Sequence, residues 1–290
     1  MAAENTEPKC WLISGCSTGF GREIALAALA HGDRVAVTAR NPAVLESLCA
    51  SYPQQALALA LDVTRPEQIA AAVDATVEAF GRIDVLVNNA GYGYVAAVEE
   101  GEDDAVRALF ETNFFGALAL TQAVLPLMRA QGGGRIINNS SQAGLMANPG
   151  TGYYSASKYA LEGLMEALSK EVAPLNIRVT SVEPGAFRTD WSGRSMHRSE
   201  RRLDDYAEHV GSRLDMIADM DGKQPGDPVR GAQVFVDIAY HPEPPVQLLL
   251  GAGVLASYRE KLAGVTADLD TWQQVTLSAD YPTDTGVSDE

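Results

Sequence analysis

The chain has 290 residues, 46% of them hydrophobic, and its 38 acidic against 22 basic side chains give a formal net charge of -16 at pH 7; a sizeable core is expected, and a surface this negative repels nucleic acid and anionic membrane, which excludes both as partners. The three cysteines Cys10, Cys16 and Cys49 form no CxxC or Cys/His cluster, and His31, His197, His209 and His241 have no metal-ligand spacing, so no metal is expected. The N-terminal "MAAENTEPK" lacks the apolar core of a secretory signal and no run reaches the roughly 18 apolar residues of a membrane span, so a reducing, cytoplasmic location is expected.

In chain order, "CWLI" (10–13) reads as a short buried strand, followed by the glycine-rich "SGCSTGFG" (14–21) and a helical run to Ala30 that Gly32 stops. "RVAVTA" (34–39), "ALALAL" (56–61), "DVLVNN" (84–89), "RIINNSS" (135–141), "IRVTSVEP" (177–184) and "VQLLLG" (246–251) supply further strands. Between them lie helical stretches. Thr64-Arg65-Pro66-Glu67 has the form of a capping box with proline in the first turn, and Ile69, Val73 and Val77 then mark one helix face. Apolar strands alternating with amphipathic helices imply an α/β fold: one Rossmann-type, doubly wound parallel sheet of about seven strands, helices on both faces, over residues 1–290. Residues 186–226 break the alternation. Their scattered Trp191, Met196, Tyr206, Met216 and Met220 suggest a helical flap over a site. "YREKLAGVTADLDTWQQV" suggests one or two short helices in a C-terminal extension over about 252–290, with a frayed end.

The loop Gly15-xxx-Gly19-x-Gly21 sits between a strand and a helix, the context of a phosphate cradle, since helix N-termini offer free N–H groups and partial positive charge. The spacing is neither GxGxxG nor a P-loop, because no lysine follows Gly21. Cys16, inside this loop, has no base near it in sequence and is not read as a nucleophile. "YSASK" places Tyr154 and Lys158 one helical turn apart on one face. A lysine cation beside a phenol favours the phenolate, lowers its pKa and makes it a usable acid or base. Leu161, Leu164, Met165 and Leu168 are expected on the inward side of the same helix, with Glu162, Glu166 and Lys170 outside. Ser141 precedes Tyr154 by 13 residues, with Ser140 adjacent.

These motifs, over about residues 10–250, resemble the classical short-chain dehydrogenase/reductase family, whose loop is TGxxxGxG; Ser14 replaces its threonine, and Asn139 before the serine pair is a second departure. The resemblance implies a catalytic set of Asn113, Ser141, Tyr154 and Lys158. Ser141 would hold the substrate oxygen, and Asn113 would support a water chain to the lysine. It implies cofactor contacts from Gly15, Ser17, Thr18, Gly19, Phe20 and Gly21, from the Asp62-Val63 pair at the adenine, and from Asn89, Ala90 and Gly91 of "NNAG". Pro184, Gly185, Phe187 and Thr189 of the PGxxxT stretch would orient the nicotinamide, and Tyr154 and Lys158 would touch the cofactor as well. Ala39 stands where the family's NAD users carry Asp, and Arg40 can pair with a 2′-phosphate, so NADP (NADPH) is expected over NAD.

A looser resemblance, in "NNAGYGYVAAVEE" and the stretch after "PGAFRTDW", is to the 17β-hydroxysteroid and retinol dehydrogenase branch. It implies carbonyl–alcohol interconversion on a lipophilic small molecule, in a pocket lined by Tyr92, Tyr94, Gln142, Leu145, Tyr153, Phe187 and Trp191 with Ser141 and Tyr154. Family relatives form dimers or tetramers, so a homo-oligomer is expected. The alternatives are an NADP-sensing regulatory protein without turnover, which has no use for the complete Asn–Ser–Tyr–Lys set, and an NAD-dependent alcohol dehydrogenase. An extended-type epimerase or dehydratase would need TGxxGxxG spacing, which is absent.

Overall fold

The computed structural model of the chain describes residues 7–191, 193 and 195–281. The start of the N-terminal segment and residues 282–290 of the expected frayed end lie outside the described residues. Seven parallel strands form the central sheet: β1 (Cys10–Ile13), β2 (Arg34–Ala39), β3 (Ala56–Ala60), β4 (Val85–Asn88), β6 (Gly134–Asn139), β7 (Ile177–Pro184) and β9 (Gln247–Leu250). Their spatial order is β3-β2-β1-β4-β6-β7-β9. The order reverses between β1 and β4, and open α/β sheets bind ligands at that crevice, beyond the strand C-termini. Two short strands, β5 (Gly93–Val95) and β8 (Met196–Arg198), pair separately.

The apolar strands account for the layering. Trp11 and Ile13 of β1 face one core with Ile24 and Leu29 of helix α1 (Gly19–His31) and Phe235 and Val236 of α8 (Pro228–Tyr240). The short α2 (Glu46–Ser51) adds Leu48 to the same core. Leu12 faces the opposite core, with Ile69 and Val73 of α3 (Pro66–Phe80), Leu120 and Val124 of α5 (Ala117–Gln131), and Leu161 and Met165 of α6 (Gly152–Val172). Strands buried on both faces carry apolar side chains in both directions, so they read as continuous runs. Each fully buried Leu or Ile contributes about 1.5–3 kcal/mol.

Helix α4 (Asp103–Phe110) runs through a π-helical turn, Glu111–Gly116, into α5. The combined Asp103–Gln131 is long and apolar enough by composition to cross a membrane, yet Leu109, Leu120, Val124 and Met128 are buried within the protein. The flap region is less helical than expected: β8 and two short turns precede α7 (Ser212–Asp219). The C-terminal extension is one continuous helix, α9 (Ala252–Leu277), instead of short pieces; Val254 is its buried residue, while Leu262, Leu269 and Trp272 are exposed.

Two local expectations fail. Thr64 does not cap α3; its N–H and its hydroxyl both donate to Asp62 Oδ1, at 3.0 and 2.8 Å, and Arg65 takes the cap position. A nearby carboxylate outcompetes the helix terminus for the threonine. Glu162 points inward, not outward, and is buried. It lies beside Ser140, Ser181 and Gln247, whose polar groups favour its charged form but do not outweigh burial, which raises its pKa. Glu183 of β7 is fully buried with neither carboxylate oxygen hydrogen-bonded.

Burial first, and the neighbouring Glu162 second, push the Glu183 carboxyl up to about 9. The native chain therefore keeps a proton there that the unfolded chain releases near the ordinary value of 4.5. The stability tied to that proton is complete below the unfolded value and is lost as pH rises through about 9. The melting temperature of wild type should therefore fall more steeply than that of Glu183→Gln between about pH 6 and about pH 9. Parallel thermal-denaturation curves for the two proteins across this range would contradict the assignment.

Candidate active site

The glycine loop owes its shape to backbone freedom and to one clamp. Gly15 and Gly19 have φ of 75° and 58°, the left-handed region where glycine is favoured. A Cβ on Gly21 would stand 2.2 Å from the Gly15 carbonyl oxygen and 2.3 Å from Asn89 Nδ2, so the turn closes only around glycine. Asn89 Nδ2 donates to the carbonyls of Ser14 and Gly15, both at 2.9 Å. In return the backbone N–H groups of Asn89 and Ala90 donate to Ser14 Oγ at 2.9 and 3.0 Å. The Ser14 hydroxyl thus does structural work in the loop, which is why its replacement of threonine is compatible with this turn. Asn88 faces the other way, donating to Thr121 and Asn138 at 2.9 Å each.

The clamp continues to the YxxxK helix. Asn139 Nδ2 donates to Asn89 Oδ1 at 2.8 Å, and Lys158 Nζ donates to the Asn139 carbonyl at 3.0 Å. Tyr154 and Lys158 are both buried, with the ammonium 5.9 Å from the phenol ring centroid. Burial dominates both groups. It pushes the Tyr154 phenol up to about 12, against the Ser141 hydroxyl and the Trp191 indole, which lie close enough to favour ionisation. It pulls Lys158 down to about 8, against the raising influence of Glu162. The expected depression of the phenol pKa is therefore not the net result: desolvation outweighs the favourable neighbours, and the ammonium is directed to a carbonyl. The tyrosine stands as a protonated acid.

Ser141, at the end of β6, lines the cavity and accepts the Ala143 N–H at 3.1 Å. Ser140 is buried against Glu162 and Gly144, so the 13-residue spacing selects the serine beside Tyr154. Asn113 lies in the π-helical turn. Such turns displace one residue from the helical repeat and are frequent at functional sites. Its Oδ1 accepts the Tyr92 N–H at 3.1 Å, and its Nδ2 donates to Tyr92 O at 2.9 Å and to Ser157 Oγ at 3.2 Å. Ser157 donates to the Tyr154 carbonyl at 2.8 Å. Asn113 thereby fixes the turn that carries the tyrosine, without direct contact to the lysine.

One cavity of about 1040 Å³ brings most expected residues together. Gly15, Ser17, Thr18, Gly19, Phe20, Arg40, Asp62, Val63, Asn89, Ala90 and Gly91 line it at one side, and Pro184, Gly185, Phe187 and Thr189 at another. The Phe20 and Phe187 rings meet at a tilt of 56°, with centroids 4.9 Å apart. Asp62 feels burial first, but its bonds from Thr64 and the nearby Arg40 and Arg65 hold it below the ordinary carboxylate value, which places Arg40 beside it. Tyr92, Gln142 and Trp191 also line the cavity, with the Trp191 ring 5.3 Å from the Tyr154 ring.

Gly21 lies behind the wall as a contact glycine, and three other expectations change. Tyr94 is buried away from the cavity, its hydroxyl donating to Glu102 Oε2 at 3.1 Å and accepting the Glu102 N–H at 3.0 Å. Tyr153, one residue before Tyr154 and so turned about the helix, packs on Gly101 and donates to Val98 O at 2.5 Å. Leu145 is buried outside the cavity wall, and its carbonyl accepts from Tyr159 and Lys261. Cys16 is fully buried in the loop, and desolvation pushes its thiol up to about 12, so it is an inert side chain. Sequence reasoning missed Asn148, His197, Arg213 and Ile217 in the lining. Met216 and Met220, noted earlier only as flap residues, line it too. Among the described residues no group of three or more His, Cys, Asp or Glu side chains is placed to hold a metal.

The description short chain dehydrogenase belongs to the family model that matches residues 9–200. The chain is 37% identical to oxidoreductase BOA17 of Botryotinia fuckeliana, across 93% of this chain and 99% of that one. It is 40% identical to human retinol dehydrogenase 8, across 64% of this chain and 61% of the other, which fits the looser branch resemblance. Its fold superposes on a short-chain dehydrogenase from Streptomyces avermitilis with a TM-score of 0.89 and 42% identity, over 95% of this chain and 100% of that one. With the glycine loop, the YxxxK helix and the seven-stranded parallel sheet in register at one crevice, this chain belongs to the short-chain dehydrogenase/reductase family and is an NAD(P)-dependent oxidoreductase.

Proposed function

We propose that the protein is an NADP(H)-dependent oxidoreductase that interconverts a carbonyl and a secondary alcohol on a lipophilic small molecule. The observation that carries this reading is the convergence of Ser141, Tyr154 and Lys158 with the glycine loop on one cavity. The fit to a dinucleotide rests on that loop: two left-handed glycines and a third with no room for a Cβ bring backbone to the cavity wall. Arg40, exposed beside Asp62, follows Ala39 where an acid would oppose a 2′-phosphate. Trp191, Ile217 and the methionines at the wall support an apolar substrate, as does the likeness to a retinol dehydrogenase.

In this reading, Gly15 to Phe20 and the start of α1 would hold the pyrophosphate, and Arg40 would take the 2′-phosphate. Asp62 and Val63 would contact the adenine, Asn89 to Gly91 the adenosine, and Pro184 to Thr189 the nicotinamide. When bound, the nicotinamide supplies hydride to the carbonyl carbon or accepts it from the alcohol. Ser141 donates a hydrogen bond to the substrate oxygen and opposes the charge that forms there; a donor of this kind is worth about 10²–10³ in rate. Tyr154, protonated across the physiological range, gives its proton to that oxygen. The Lys158 ammonium, anchored on Asn139, stabilises the phenolate left behind. Asn113 holds the Tyr154 turn through Ser157; a relay from it to Lys158 requires a bridging water.

We further propose a cytoplasmic homo-oligomer. Free thiols at Cys10, Cys16 and Cys49 suit a reducing compartment, and exposed Phe115 and Tyr159 lie on the helices that the family pairs.

Two measurements check this function. Fluorescence titration of wild type should show NADPH binding about tenfold or more tighter than NADH, with Arg40→Ala erasing the difference; equal binding in wild type contradicts the NADP assignment. Reduction of a lipophilic ketone should weaken as pH rises through about 8, because Lys158 loses its charge there while Tyr154 keeps its proton to about 12. Lys158→Arg, which cannot deprotonate, should remove that limb of the pH profile, whatever its absolute rate. An unchanged limb assigns it to another group.

A further inference from the structure

Arg213 is a charged side chain of the cavity wall that the carbonyl–alcohol chemistry does not use. Helix α7 turns one face to the cavity, presenting Arg213, Met216 and Ile217, and its C-cap Met220 continues that face, at i, i+3, i+4 and i+7. Three of the four are apolar. The fourth is a guanidinium with five donors. Among the described residues the Arg213 side chain makes no hydrogen bond and no ion pair, and its Nε is fully shielded from solvent without an acceptor. A donor desolvated in this way is costly unless a partner meets it.

The placement says which ligand could meet it. Leu214, the next residue, packs over Gly150, just before the helix that carries Tyr154, and with Val95 and Val210 in a small separate core. Arg198 also donates to the Leu214 carbonyl, at 3.0 Å. These contacts seat α7 beside the Tyr154 end of the cavity. Arg40 and Asp62 mark the adenosine end. Of the other wall cations, Lys158 is committed to Asn139, and Arg40 lies next to Asp62. Among the described residues, Arg213 is therefore the wall cation left to a substrate, in a protein whose net charge of -16 otherwise repels anions.

Resting on the carbonyl–alcohol reading above, we propose that Arg213 receives an anionic group, a carboxylate or a phosphate monoester, at the end of an otherwise apolar substrate. The planar fork suits either oxyanion bidentately, and the methionine and isoleucine beside it would cover the apolar body. The substrate class is then an amphiphilic keto acid or keto phosphate and the corresponding alcohol.

The test compares 4-benzoylbenzoate, its methyl ester and 4-benzoylphenyl phosphate, by calorimetry on the NADP⁺ complex and by NADPH oxidation. Wild type should bind one of the anions about tenfold or more tighter than the ester, and the preferred anion identifies the group. Arg213→Met should erase that preference as a rise in KM with kcat kept, leave ester binding and NADPH affinity unchanged, and be partly restored in Arg213→Lys. Anions and ester binding alike, none of them binding, or a loss of NADPH affinity in Arg213→Met would overturn the proposal. If an anion binds through Arg213 but neither ketone consumes NADPH, the reaction assigned to the site fails while the anion site stands.

Discussion

The side-chain amide of Asn89 is the joint on which the rest of the site hangs. Its nitrogen serves two carbonyls of the glycine loop and its oxygen accepts from Asn139, whose carbonyl in turn holds Lys158. A loop built from left-handed glycines has little rigidity of its own. The amide supplies it from the neighbouring strand, and the same residue relays position to the catalytic helix across the sheet's reversal point. A phosphate cradle and a proton-transfer pair, separated by more than a hundred residues in sequence, become one rigid object.

That object is electrostatically expensive. A buried ammonium, a buried phenol and two buried carboxylates sit within two elements, α6 and β7. Desolvation shifts each of them toward its neutral form: Lys158 downward, and Tyr154, Glu162 and Glu183 upward. The cost is carried by the two apolar layers on either side of the sheet. The gain is an acid that holds its proton near neutrality and a cation poised to lose its charge just above it. Function and stability therefore respond to pH through the same short stretch of structure.

Most of the architecture was legible because parallel strands buried on both faces announce themselves as apolar runs, and the glycine loop, NNAG and Ser141 stand at strand ends, with YxxxK in the following helix α6, in fixed order. The failures have separate physical causes. Thr64 looked like a cap because the pattern ignores Asp62 two residues before it, which captures the hydroxyl. Glu162 looked outward because charge was read as exposure, whereas the Ser140 hydroxyl, just past β6, and the Ser181 hydroxyl on β7 line its buried position. Tyr94 and Tyr153 were aromatic residues near the right motif but on the wrong side of their strand and helix. Arg213 was not singled out: its helical spacing with Met216, Ile217 and Met220 marks one face but not what that face covers, which depends on how the flap folds back over residues some sixty positions earlier, such as Gly150.

The most direct test of this account is the pairing of NADPH affinity with turnover in Asn89→Ala, with thermal denaturation to confirm a folded protein. The account predicts that both fall about tenfold or more, because the amide secures the loop and the lysine together. If the folded variant binds NADPH and reduces ketone within twofold of wild type, the glycine loop and the catalytic helix hold their positions independently, and the central constraint drawn here is wrong.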